Sequence, residues 1–69
     1  MVEVFKTNVQ TMEQSEKLVF KLLQQFPTLK INFDLEDCDK ILRVENVYVP
    51  IEDIVELLIS ADIDCEVLV

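Results

Sequence analysis

The residues that could do chemistry in this chain are soft sulfur donors and grouped carboxylates. The thiols are Cys38 and Cys65, and Met12 adds a thioether. Soft ions such as Cu(I) or Zn(II) want two or more converging thiolates or imidazoles, and the chain has no His. The same lack removes the side chain that most often serves as general base at neutral pH. Carboxylates gather in Asp34-Leu35-Glu36-Asp37-Cys38-Asp39, in Glu52-Asp53 and at Asp62 and Asp64. Asp34, Glu36 and Glu45 fall at the first, third and twelfth positions of a notional calcium loop, but Asp39 stands sixth, where such a loop needs Gly. A solvated, charged turn is the expectation there. Glu52 and Asp53 suit the positive end of a helix dipole. The absence of any Gly also excludes Gly-rich phosphate and dinucleotide loops. These features point away from an enzyme.

The elements that must position these residues follow from periodicity. Val2 to Asn8 alternates and predicts a strand. Thr11 to Gln25 predicts a helix. Thr11 with Gln14 three residues on fits a capping box, and Leu18, Val19, Leu22, Leu23 and Phe26 form its apolar stripe before Pro27 ends it. Leu29 to Leu35 and Ile41 to Val47 alternate again around an Asp-rich turn, predicting a hairpin. Pro50 opens a second helix with Ile51, Ile54, Val55, Leu58 and Ala61 as its buried stripe. Asp64 to Val69 closes the chain as a fourth strand.

Strand, helix, strand, strand, helix, strand is the split βαβ pattern. It predicts an α+β, ferredoxin-like βαββαβ two-layer sandwich. Four antiparallel strands in the order 4-1-3-2 should carry both helices on one face. Phe5, Thr7, Val9, Ile31, Phe33, Leu35, Leu42, Val44, Cys65 and Val67 should face the helices. The outer face should be polar with a modest apolar strip of Val2, Val4, Ile41 and Leu68. Three strand spacings separate Cys38 from Cys65, roughly 14 Å, too far for a shared ion or a disulfide. Met12 and Cys65 should lie near the same end of the domain.

Over nearly its whole length the chain resembles the heavy-metal-associated, copper-chaperone-like domain family. The resemblance rests on Phe5-Lys6-Thr7-Asn8-Val9 leading into the first helix and on the hairpin carrying Asp39-Lys40-Ile41-Leu42-Arg43-Val44. The spacing to the last helix and strand completes it. It implies a Cu(I) or related soft-metal site made by two cysteines in a CxxC pair, in the loop and first turn after strand one. In this chain those positions hold Thr11 and Gln14, neither a soft ligand.

The 69 residues form one domain, 1–69, and six Lys and Arg against 14 Asp and Glu give a net charge of −8. That charge repels nucleic acid and anionic membrane surfaces. The outward positions Val4, Arg43 and Glu45 offer no aromatic platform for RNA bases, and the loop Asn8-Val9-Gln10-Thr11 has no Arg to cradle an acyl phosphate. No run reaches the length of a membrane span, and the N-terminus lacks a signal-peptide layout. A cytoplasmic protein is expected. Two functional readings stand. One is a non-enzymatic interaction module without metal or cofactor, contacting another protein or weakly self-associating through the open sheet face, with Phe20 either an added contact or an ordinary partly covered surface aromatic. The other is a weak Cu(I) or Zn(II) carrier using Met12 and Cys65 near the first loop.

Overall fold

The computed structural model describes residues 1–68. Its elements are β1 (Val2–Thr7), α1 (Met12–Gln25), β2 (Lys30–Asp34), β3 (Ile41–Glu45), α2 (Ile51–Ser60) and β4 (Cys65–Leu68). One open antiparallel sheet has the order β2-β3-β1-β4, which counted from the β4 edge is 4-1-3-2. Val69, expected at the end of β4, lies outside the described residues.

Period-two alternation sorts the strands onto two faces. Phe5 sits between Leu42 and Val67, and Leu42 in turn beside Phe33. Phe5, Leu42 and Val44 form one cluster with Leu18 and Leu22 of α1 and Ile54, Leu57 and Leu58 of α2. Both helices therefore cover the same face of the sheet. Phe5, Leu22, Leu42, Ile54 and Leu58 are the largest fully buried side chains, each contributing about 1.5–3 kcal/mol through removal from water. Among the described residues no helix is long and apolar enough to cross a membrane.

Local chemistry sets the helix ends. Thr11 is the N-cap of α1, and the expected capping box is present. At the other end of α1 the Phe26 N–H still donates to Leu22 O before Pro27 turns the chain. α2 ends in a Schellman motif. Asp62 takes φ 62°, its N–H donates to Ile59 O, and the Ile63 N–H donates to Leu58 O. Ile63 is buried against the core at that turn. With no Gly in the chain, Asp fills the left-handed position that Gly usually takes.

Four expectations are corrected. Leu23 leaves the α1 stripe for the rim, and Ser15 is buried instead, its hydroxyl donating to Met12 O. Leu57 joins the buried stripe of α2. β3 stops at Glu45, leaving Val47 and Tyr48 strongly exposed at 91% and 70%. The outer apolar strip is broken, because Ile41 is only 8% exposed. Its cross-strand neighbours on that face are Lys6 and Asp34, and Lys6 reaches on to Asp39 Oδ1 at 3.6 Å. The Lys6 stem and the hairpin thus flank Ile41.

Candidate functional site

Three segments meet at one end of the sheet: the loop from β1 into α1, the β2–β3 turn, and the start of β4. Thr7 is the node between them. It is buried, its hydroxyl donates to Lys40 O at 2.6 Å and accepts from the Val9 N–H at 3.3 Å. Its own N–H donates to Asp39 O at 3.1 Å, while Cys65 is its partner across the β1–β4 ladder. One threonine therefore ties the acidic turn, the loop and the last strand together. Lys40 adopts φ 48° to bring its carbonyl there.

Asn8 closes the β1–β4 side. Its Nδ2 donates to Asp64 Oδ2 at 3.3 Å and its Oδ1 accepts from the Asp64 N–H at 3.1 Å. A shallow groove beside this pair is lined by Lys6, Thr7, Asn8, Asp64, Cys65 and Glu66. Cys65 is half-buried, and desolvation, then the negative charge of Asp64, pushes its thiol above the ordinary range. A raised pKa disfavours the thiolate, the form that ligates metal or attacks electrophiles.

Thr11 and Gln14 are engaged in the fold itself. Thr11 Oγ1 accepts from the Gln14 N–H at 3.1 Å, and Gln14 Oε1 accepts from the N–H groups of Gln10 at 2.9 Å and Thr11 at 3.3 Å. The N-terminus of α1, where exposed N–H groups could attract an anion, is capped by its own sequence. Met12 opens α1 with its side chain 69% exposed and lies outside the lining of the Cys65 groove.

The acidic turn is a backbone structure. Asp34 Oδ1 accepts from the N–H groups of Glu36 and Asp37, and Asp37 Oδ1 accepts from the Asp39 N–H. Lys40 Nζ donates to Leu35 O. The donor atoms of Asp37, Cys38 and Asp39 lie within 4.8 Å of one another. Asp37 already bonds the turn and Asp39 already pairs with Lys6. Glu45 stands at the far end of β3 between Val2 and Lys30, so Asp34, Glu36 and Glu45 do not form a calcium loop. Both cysteines are free, with Cys38 exposed.

The opposite end of the sheet holds what periodicity did not flag. Met1 and Asn46 extend the β1–β3 ladder by one pair. Met1 and Val47 share a depression with Thr28, Lys30, Glu45 and Asn46, and Met1, Val2, Val47 and Tyr48 all leave apolar surface in solvent. A Val-Tyr pair following a strand and preceding Pro50 was the available signal. Compared with known proteins, the chain matches no family model, and no curated protein matches it.

Proposed function

We propose that the chain is a ferredoxin-like domain of the heavy-metal-associated type whose first loop has been given over to helix capping, and that it acts as a non-enzymatic protein-interaction module in the cytoplasm. The observation that carries this reading is the use of Thr11 and Gln14. Their oxygens are hard donors, unsuited to soft ions, and they accept three backbone N–H bonds at the head of α1. A loop held this way gains helix stability and loses ligand capacity. The apolar side chains left in solvent at Met1, Val2, Val47 and Tyr48 support a role in protein contact. Phe20 adds exposed aromatic surface on α1.

A second reading, a weak Cu(I) or Zn(II) carrier on Met12 and Cys65, is favoured by one observation: Cys65 lines an open groove. Its raised thiol pKa and the position of Met12 outside the lining of that groove weigh against it. Equilibrium dialysis of the reduced protein against Cu(I), then Zn(II), decides between them. The interaction reading expects less than a tenth of an equivalent retained at micromolar free metal. Retention of one equivalent, abolished by Cys65→Ser, overturns it in favour of the carrier.

A further inference from the structure

The β2 edge of the sheet is complementary to itself. Among the described residues β2 pairs only with β3, so its other side is an open edge, and such edges are templates for another strand. The hydrogen-bond phase of that edge is fixed by the far end of the ladder. Met1 and Asn46 exchange both backbone bonds, at 2.7 and 3.0 Å. Through the unbroken β1–β3 register, Leu42 and Val44 then bond toward β1, and Ile41, Arg43 and Glu45 toward β2. Their β2 partners are Asp34, Asn32 and Lys30. Ile31 and Phe33 therefore turn their N–H and C=O groups outward.

A second copy running antiparallel, with Asn32 opposite Asn32, meets these groups in phase. Ile31 of one copy faces Phe33 of the other as a hydrogen-bonded pair, twice, giving four backbone bonds. The side chains match as well. Lys30 falls opposite Asp34 on the exposed outer face, again twice, in the closer non-bonded positions where side-chain contact is strongest. Ile31 and Phe33, half-buried on the helix face, cover each other. Leu29 and Leu35 extend the same symmetry. Asp34 uses only Oδ1 for its turn. A slip of two residues in either direction breaks both Lys30–Asp34 pairs; in one direction Lys30 would then face Glu36, which lies beyond the end of β2 in the turn, so the charges within the strand favour one register. The two-fold axis is perpendicular to the sheet and keeps all four helices on one side.

We propose that two copies of this chain join through antiparallel β2–β2 pairing centred on Asn32, making one continuous eight-stranded sheet. This rests on the interaction-module reading and names its partner as a second copy and its surface as the β2 edge rather than the open face. The contact is small, and each copy carries a net charge of −8. Dimerisation is therefore expected within roughly 10 μM to 1 mM, tightening with added salt as the global repulsion is screened.

The test is sedimentation velocity with concentration-dependent amide shifts on the wild type, Lys30→Asp, Asp34→Lys, the double swap, and Ile31→Pro. Wild type is expected to dimerise with shifts centred on Leu29 to Leu35. Either single reversal sets two like-charge pairs opposite each other and weakens the dimer roughly tenfold or more. The double swap restores it. Ile31→Pro removes an outward N–H that the monomer does not use and abolishes the dimer while the amide spectrum stays folded. A monomer throughout the range, or a double swap that keeps the β2–β3 turn amides of wild type yet is no tighter than the single reversals, overturns the proposal. Those results leave the interaction module standing if dialysis shows no metal, whereas one retained metal equivalent overturns that module whatever the dimer does.

Discussion

Replacing Thr11 and Gln14 together by Cys should convert the capped loop into a soft-metal site, at a cost that the structure sets. The exchange removes the Thr11 Oγ1 acceptor for the Gln14 N–H and the Gln14 Oε1 acceptor for the Gln10 and Thr11 N–H groups. Loss of an N-cap typically costs 0.5–2 kcal/mol. A value of about 1.5 kcal/mol for the apo variant lowers Tm by roughly 6–12 °C in a domain of this size. Two thiolates at the head of α1 would then bind Cu(I), and free metal at about 100 times Kd stabilises by about 2.7 kcal/mol. The loaded variant should stand about 1 kcal/mol above wild type. Thermal unfolding followed by circular dichroism, with and without Cu(I) under reductant, reads both terms. Wild type should show no Cu(I)-dependent gain in Tm. An apo variant as stable as wild type would mean that the capping box contributes nothing. A variant that binds no Cu(I) would mean that positions 11 and 14 are not the family's ligand positions, and the resemblance would lose its footing.

Asp62→Gly should raise stability by about 0.5–1 kcal/mol in urea unfolding. It relieves the φ of 62° and removes a negative charge from a helix C-terminus, offset by greater unfolded-state freedom; Asp62→Ala should not stabilise. Thr7→Val should cost about 1–3 kcal/mol, because Lys40 O and the Val9 N–H lose their partner, and Thr7→Ser should recover much of it. The Cys65 thiol is raised in the fold, so the folded state favours the protonated form. The stability this contributes is intact at neutral pH and is lost as pH rises through and beyond 9.0; Cys65→Ala should flatten that alkaline loss. Iodoacetamide at pH 8 should modify exposed Cys38 well before half-buried Cys65, and equal rates would refute the burial argument.

Much of the fold was legible because the local signals agree with one another. Thr11 with Gln14 marked the cap of α1, one residue before the helix itself begins, Pro27 its end, and alternation gave four strands and most of their inward faces. What escaped were consequences of tertiary packing. Ile41 has the alternation of an outward residue, yet Lys6 and the hairpin cover it. Val47 continues the alternation of β3, yet the β2–β3 ladder ends at the Lys30–Glu45 pair, where the Leu29 N–H turns to Phe26 O. The Asn8–Asp64 closure joins residues 56 positions apart, and no local pattern carries that. The left-handed conformations of Lys40 and Asp62 were hidden for another reason: the usual marker, Gly, is absent from the chain.

The central claim is that the first loop serves its helix and not a metal. The most direct measurement is an amide-shift titration of the reduced wild-type protein with Cu(I), read at Asn8 to Gln14 and at Cys65. The expected result is no saturable movement in that loop, with the Gln10, Thr11 and Gln14 amides holding their hydrogen-bonded positions. Shifts of those amides that saturate near one equivalent would contradict the account and return the loop to metal chemistry.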